Sequence, residues 1–516
     1  MKTIKYSILI FLMIFSWIAC DVDYEDNPNE PSVPPTSGLF NNATKVIIDA
    51  SRDEWFEGRF TLPTMQYWAQ VNYTEEDRYQ YRPGLPDTWS TFYRALENYR
   101  LIIQYNTDEA TKNDVLAYGP NEGQIAVARI MLAYTFNLMA DTFGDIPYYS
   151  YGTENPDFQA LNVNEVLAPK YAQQKDIYLD ILNELKAAAA QLGSVSGQHL
   201  NGGDAIYFGD LSKWQKFANS LRMRIAVKLL GTSEAATAMQ HINEAKTNAF
   251  TSNADNAALS YEANDTNASP FYKAYYVDNR TDFAVAYPFV RLLKGEDLTT
   301  TNPKANPFSG LTDPRLPVYV APNGLGNHVG MPYGVESAIA PTFKWWSLPG
   351  TAILDASFNV PLMDYAEVEF ILSELNGWDQ THYENGVKAS IEKWNPDADA
   401  TAYVATLPPA SEETVLTQKY IALYMQSHAA WTEYRRTGYP QFLIMPGESY
   451  TVDVQTEDGM KTFDYEFIPL VDTDDIPTRV TYPGEEANIN GENLKEATSR
   501  INGGDEITSK LWWDVN

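Results

Sequence analysis

Apolar residues recur at helical spacing along most of the chain. In "DTWSTFYRALENYRLIIQY" (Asp87 to Tyr105), Trp89, Phe92, Tyr93, Leu96, Tyr99 and Ile103 share one face, and Asp87 stands where an N-cap is needed. "NEGQIAVARIMLAYTFNLMADTFGD" repeats the pattern with Ile125, Ala128, Arg129, Leu132, Ala133, Phe136 and Ala140. The same spacing predicts helices over Tyr171 to Leu192, Leu211 to Leu230, Ser233 to Ala249, Tyr365 to Leu375, Tyr383 to Trp394 and Glu412 to Arg436. Asp210 is placed to cap the Leu211 helix and Gly231 to end it, while Gly438 and Pro440 stop the last one. The helices come in pairs with small or aromatic residues on facing sides, the construction of helical-repeat arrays, although no window fits the strict tetratricopeptide pattern.

Between Tyr261 and Pro361 the periodicity fails and Pro, Gly, Asn, Tyr and Trp take over, so this stretch is either functional or loosely ordered. Another irregular region, Gly447 to Thr498, contains a hairpin signal at Glu457-Asp458-Gly459 between "YTVDV" and "KTFDYEF". The expected fold is mostly α, a helical-repeat scaffold with a large loop-rich region and a few short strands. It forms one domain over residues 39–516.

The N-terminus has the layout of a secretory signal: Lys2 and Lys5, the apolar run Ile8 to Phe15, then Ser16, Trp17, Ile18 and Ala19. That run is shorter than the roughly 20 apolar residues a membrane-spanning helix needs. Ile18-Ala19-Cys20 resembles the lipobox of bacterial lipoproteins, in which residues 1–19 are removed and Cys20 becomes the lipidated first residue; the plain alternative is a cysteine ending an ordinary signal peptide. Cys20 is the only cysteine in 516 residues, so no intrachain disulfide can form and the core must hold the fold. With 44% hydrophobic and 13% aromatic residues there is material for it. Asp21, Asp23, Glu25 and Asp26, followed by Pro28, Pro31, Pro34 and Pro35, make residues 20–38 an extended tether. This acidic stretch resembles the signal that exports Bacteroidetes lipoproteins to the outer face of the cell. Net charge of -31 and a pI near 4.5 argue against nucleic acid and against adsorption on anionic lipid.

Catalytic constellations are scarce. G-x-S-x-G, H-E-x-x-H, P-loop and calcium-loop patterns do not occur. No two of His199, His241, His328, His382 and His428 stand at metal-binding helical spacing, and each reads as a surface or helix-end residue. Asp472, Asp474 and Asp475 could hold a structural calcium ion, but without the Gly turn and distant Glu they read as a solvated turn, and no cofactor is expected. Carboxylate pairs for glycoside cleavage are uninformative among 68 acids.

The positive signal is aromatic. Sugars pack a C–H face on indole or phenol rings while amides, carboxylates and guanidinium groups bond their hydroxyls. Two regions have that composition. "MQYWAQVNYTEEDRYQYRPGLPDTW" supplies the candidates Asp77, Tyr79, Tyr81 and Arg82; "SPFYKAYYVDNRTDF" and "TFKWWSLPG" supply Tyr275, Tyr276, Asn279, Trp345 and Trp346. Trp68 and Trp89 lie beside helical segments and read as core.

Several segments, "ARIMLAYTFNLMADTFGDIPYY", "DPRLPVYVAP", "GNHVGMPYG", "PLMDYAEVEFILSEL", "HAAWTEYRRTGYP", "IPTRVTYPGEEANIN" and the closing "LWWD", resemble the SusD/RagB family of outer-membrane nutrient-binding lipoproteins, and the "EYRRTGYP" form is most similar to the SusD-like branch. The resemblance implies four tetratricopeptide-type helix pairs on one side and a loop-rich ligand region on the other. It also implies a surface lipoprotein that sits as a lid on a SusC-type TonB-dependent barrel, binds oligosaccharide or in some members peptide, and hands it over for import without catalysis. Family ligand residues vary between members, and none carries over to a position here. Within "WTEYRRTGYP", Glu433 with Arg435 and Arg436 reads as a buried ion pair rather than a catalytic group, and Trp512 and Trp513 as core closure. Glycan capture therefore leads, peptide capture by the same architecture follows, and an anchored glycoside hydrolase or a purely structural adaptor stand behind both.

Overall fold

The computed structural model describes residues 33–81, 87–200 and 202–515; Cys20, the leader before it, most of the tether, Arg82 and the side chain of Asp87 lie outside them. The first helix, α1 (Thr36–Ser51), begins ahead of Leu39, where the domain was expected to start. Thr36 is already buried, and its hydroxyl donates to Gln124 Oε1 at 2.5 Å.

Helices α2 (Asp87–Thr107), α3 (Asn121–Phe143), α4 (Gln174–Leu192), α5 (Leu211–Lys228) and α6 (Ala235–Ala245) follow, and each packs on its neighbour in chain order. That consecutive stacking is the helical-repeat arrangement read from the pairing of periodic segments. α3 is buried without a break from Gly123 to Phe143, which explains why it is apolar or small around most of its circumference rather than striped. A second set, α7 (Tyr365–Leu375), α8 (Gln380–Trp394), α9 (Glu412–Ala422) and α10 (Ser427–Thr437), joins the first where α7 packs on α5.

Helix ends follow the chemistry of their caps. Asp210 accepts from the backbone N–H groups of Ser212 and Lys213 at 3.0 and 3.2 Å. Asp210→Ala is expected to cost about 1 kcal/mol, measured as a shift in the urea midpoint at unchanged slope. α5 ends at Lys228 and tightens into a 3-10 turn through Gly231. α10 ends at Gly438, whose φ of 73° is the left-handed conformation a side chain would strain.

The helix expected over Glu412 to Arg436 is in fact two, α9 and α10, broken between Ala422 and Ser427. The cause is tertiary. Gln426 is fully buried and donates to Asp364 Oδ2 at 2.8 Å while accepting from Arg224 at 3.2 Å, and Met425 takes φ of 62° to deliver it. The histidine expectation needs correction for His199, buried in a loop, and His241, buried inside α6; His428 is buried too but stands at a helix end, in the first turn of α10.

Charges are buried in pairs. Lys228 donates to Asp141 at 2.8 and 2.6 Å, Tyr178 donates to the same carboxylate, and Trp513 donates its indole N–H to Tyr178 at 2.8 Å, so the C-terminal tryptophan closes the α3–α4–α5 core. Arg435 lies 3.4 Å over the Trp431 ring and donates to the carbonyls of Asp141 and Thr478. Arg436, not Arg435, takes the half-buried Glu433, which it shares with Lys419 while also bonding Glu374.

The irregular region is ordered by short ladders and brief helical stretches, Pro270–Tyr272 with its continuation Lys273–Val277, Tyr287–Leu293, Leu316–Tyr319 and Ala340–Thr342. β1 (Trp68–Gln70) pairs antiparallel with β3 (Phe283–Val285), and β2 (Ala257–Leu259) with β5 (Val360–Met363). The three-stranded sheet runs β4-β6-β7, where β4 is Phe343–Lys344 and β6 (Ser449–Thr456) with β7 (Gly459–Glu466) forms the expected hairpin around Glu457 and Asp458. No helix among the described residues is long and apolar enough to cross a membrane.

Candidate functional site

Three cavities have different chemistry. One, of about 40 Å³ among α3, α5, α7 and α10, is lined by Arg52, Asp141, Arg224, Lys228, Glu367 and Glu433, whose charges are already paired with one another or with close neighbours. A second, of about 410 Å³, lies between α2 and the 159–169 loop and is mostly apolar. The third, of about 190 Å³, lies in the irregular region and contains both tryptophans singled out from the sequence.

This third cleft is assembled from three distant segments: the 323–332 loop, β4 with the two residues after it, and the β6–β7 hairpin. Trp345 follows β4 directly and is 47% exposed. Its φ of 64° is a left-handed conformation costly for a bulky residue. Anchors on both sides impose it. Before it, β4 is pinned to β6 through Phe343 and Lys344; after it, Ser347 is buried, donates its N–H to Val329 O at 2.7 Å and accepts from Val285 N at 3.0 Å. Asn323 completes the clamp by donating to Trp345 O at 2.5 Å while its own Oδ1 accepts from Leu325 N and Asn327 N.

Gly324 lies against the ring, where a Cβ would run into the six-membered part of the indole. One side of Trp345 is therefore backed by backbone. Trp346 is half-buried and packs on the core, while Leu325 and Met460 are 61% and 64% exposed along the same cleft. The exposed indole is thus held in a strained backbone conformation by its neighbours on both sides.

The other candidates divide. Tyr276, 57% exposed, and Asn279, exposed with φ of 54°, lie in a neighbouring patch where the Tyr276 ring is 5.3 Å from that of Tyr272 and Arg280 lies over the Trp55 ring. β3 leads from this patch to the Ser347 anchor, a distance of about 10 Å along three residues of strand.

Three candidates are corrected to core. Tyr79 is fully buried with its ring edge-on to Phe467, Asp77 is fully buried and accepts from Gln70 N at 2.8 Å, and Tyr275 is buried with its hydroxyl donating to Phe283 O at 2.8 Å. Burial raises the Asp77 carboxyl well above its ordinary range, as it does the phenols of Tyr79 and Tyr275. Tyr81 is half-buried: its hydroxyl bonds Thr64 at 2.7 Å and its ring packs edge-on against Phe60. Trp68 and Trp89 are buried, as their helical neighbourhood implied.

Sequence reasoning missed the clamp, Asn323 and Gly324, and the hairpin wall, Asp453, Gln455 and Met460. "NGLGNHVG" read as a plain loop, and no local signal ties the hairpin to Trp345; only the β4–β6 pairing does. Asp472 and Asp474 are exposed, and Asp475 accepts the Tyr434 hydroxyl at 2.9 Å. Glu433 is unsuited to acid catalysis, because although burial pushes its carboxyl up, Arg436 and Lys419 outweigh that and hold it well below the usual range.

Comparison with known proteins agrees with this architecture. The SusD-like family model described as "Starch-binding associating with outer membrane" matches residues 28–460, and that described as "Susd and RagB outer membrane lipoprotein" matches residues 409–514. No curated protein matches the chain. Among solved structures, a SusD homologue from Parabacteroides distasonis is 22% identical with a TM-score of 0.73, covering 93% of this chain and 98% of its own. One from Bacteroides uniformis is 23% identical with a TM-score of 0.71, covering 93% and 99%. A chitin-binding SusD homologue from Flavobacterium johnsoniae is 20% identical with a TM-score of 0.68, covering 92% and 99%. These structures share the fold, the family models span nearly all of the described chain, and the protein belongs to the SusD/RagB family of outer-membrane lipoproteins.

Proposed function

We propose that this protein is a lipoprotein anchored through Cys20 on the outer face of the outer membrane, that it captures glycan chains at the Trp345 cleft, and that it passes them to a SusC-type TonB-dependent barrel for import. The observation that carries the reading is Trp345 itself, an indole plate clamped in a left-handed conformation, backed by Gly324 and open to solvent beside amide side chains. Carbohydrate C–H faces pack on such a plate while neighbouring amides bond the hydroxyls. Chitin-binding proteins of the same fold support the ligand class.

The test is native gel electrophoresis through plant, host and microbial polysaccharides. At least one is expected to retard the protein, and Trp345→Ala is expected to weaken that retardation at least about tenfold, or roughly 1.4 kcal/mol, with an unchanged melting temperature. Retardation by none, or retardation indifferent to Trp345, rejects the cleft as the glycan site.

Peptide capture has one observation in its favour: β7 is an eight-residue edge strand, exposed along most of its length, to which an extended peptide could add. Its Lys461, Asp464 and Glu466 are the kind of charges that discourage strand addition, which is why the glycan reading comes first. Heat released by a peptide digest in calorimetry, with no glycan retarding the protein, reverses that order.

A further inference from the structure

We infer that the Trp345 cleft selects uncharged, hydroxyl-rich glycans and excludes polyanionic ones such as uronate or sulfated chains, a statement about ligand class that rests on the glycan reading above. The cleft has few charged groups to offer a ligand. Lys344 is its one basic lining residue. That ammonium stands 3.6 Å from the exposed Glu457 and donates to Pro341 O at 3.3 Å, so an anionic ligand approaching it meets a carboxylate beside it.

Lys461, farther along the hairpin, is paired with Asp458 at 2.7 Å. In the neighbouring patch, Arg280 lies 4.0 Å from Asp282 and over the Trp55 ring. Beyond Lys344 no lining residue offers a cation to a ligand carboxylate or sulfate, whose recognition depends on charge-assisted bonds from Arg or Lys.

What remains uncommitted is of another kind. The indole N–H groups of Trp345 and Trp346 have no protein partner among the described residues, and the Asn327 side-chain amide has none. Gln455 uses its amide N–H on Thr456 O and keeps its Oε1 open; Asp453 accepts the Thr462 hydroxyl on Oδ1 and keeps Oδ2 open. Neutral donors and acceptors are thus interleaved around an apolar plate. A hydroxyl both donates and accepts, and so can satisfy each of these groups; a carboxylate only accepts and would face Asp453.

The test uses the full chain in a detergent without a sugar headgroup, on gels cast with a broad panel of neutral and acidic polysaccharides. The panel includes pairs that share a backbone and differ chiefly in charge, such as methyl-esterified pectin with polygalacturonate and hydroxyethylcellulose with carboxymethylcellulose. Every polysaccharide that retards the wild type in a Trp345-dependent manner is expected to be uncharged, its acidic counterpart at least about tenfold weaker, and the retardation insensitive to added salt, since no ion pair is available to screen. An acidic polysaccharide held through Trp345 as well as its neutral counterpart overturns this inference while leaving the glycan reading intact. Retardation by no polysaccharide at all removes both.

Discussion

Replacing Arg315 by alanine is expected to destabilise the protein by about 3–5 kcal/mol. Arg315 is completely buried; its Nε and Nη2 hold both oxygens of Asp313 at 2.9 and 2.6 Å, and it also donates to Ser390 of α8 at 2.8 Å and to Gln418 of α9 at 2.5 Å. Asp313 is 2% exposed, so the truncation leaves a carboxylate in the core with only backbone and hydroxyl neighbours. One side chain thereby ties the irregular region to two helices of the second set.

For a folded chain of roughly 480 residues the unfolding entropy is about 1 kcal/mol/K, so the melting temperature should fall by about 3–5 °C. Asp313→Ala alone should cost as much, and the double variant far less than the sum, because it leaves neither charge unpaired. Strict additivity would show that the pair does not act as a pair.

His428 should make the protein acid-sensitive by a definable amount. It lies in the first turn of α10, 7% exposed, with Nε2 3.1 Å from Thr142 Oγ1 and its ring near Phe56 and Trp431. Burial first, then the surrounding Arg435, Arg52, Lys228 and Arg224, hold the imidazole well below its ordinary 6.5. The native state therefore stays neutral there while the unfolded chain takes up a proton below pH 6.5. Stability conferred by this group is complete above that pH and lost below it, at about 1.4 kcal/mol per pH unit.

His428→Gln keeps a hydrogen-bonding side chain but cannot be charged. Relative to wild type, the variant should therefore gain about 2 kcal/mol between pH 7.5 and pH 5. The buried carboxyls of Asp53, Glu57 and Asp77, raised by burial, act in the opposite direction but are common to both proteins and drop out of the difference. Parallel stability curves would mean that His428 is protonated in the folded state.

The periodic segments show what a sequence can reveal. α2 to α5, α7 and α8 lie where the 3.6-residue pattern put them, because each buries a face against its chain neighbours. α1 escaped notice, since Gly38, paired asparagines and the β-branched Val46-Ile47-Ile48 give it a weak intrinsic signal, and the packing of Phe40, Ala43 and Ile47 decides it. The break at Leu423–Gln426 was invisible for the same reason. Its cause is a bond from Gln426 to Asp364, which no local window contains.

At the cleft, turn-forming and polar neighbours surround Trp345 and Trp346, and the structure leaves the first exposed and the second half-buried. Tyr79 and Tyr275 carry similar neighbours yet point inward, Tyr79 from a left-handed backbone position and Tyr275 from a single widened, π-type helical turn. Composition describes the company a residue keeps, whereas its direction depends on backbone angles set by contacts far along the chain.

The clamp around Trp345 has a consequence for how this protein can change. Asn323 closes its loop with its own amide and Gly324, outside the cleft lining, seats the indole. Leu325, Asn327, Asp453 and Met460 line the cleft from exposed positions with little core to support. Those four can be diversified together, by drift or in a combinatorial library, without drawing on the folding reserve set elsewhere by Arg315 and the buried ion pairs. A chain built on this clamp can vary its cleft lining while its fold stays put.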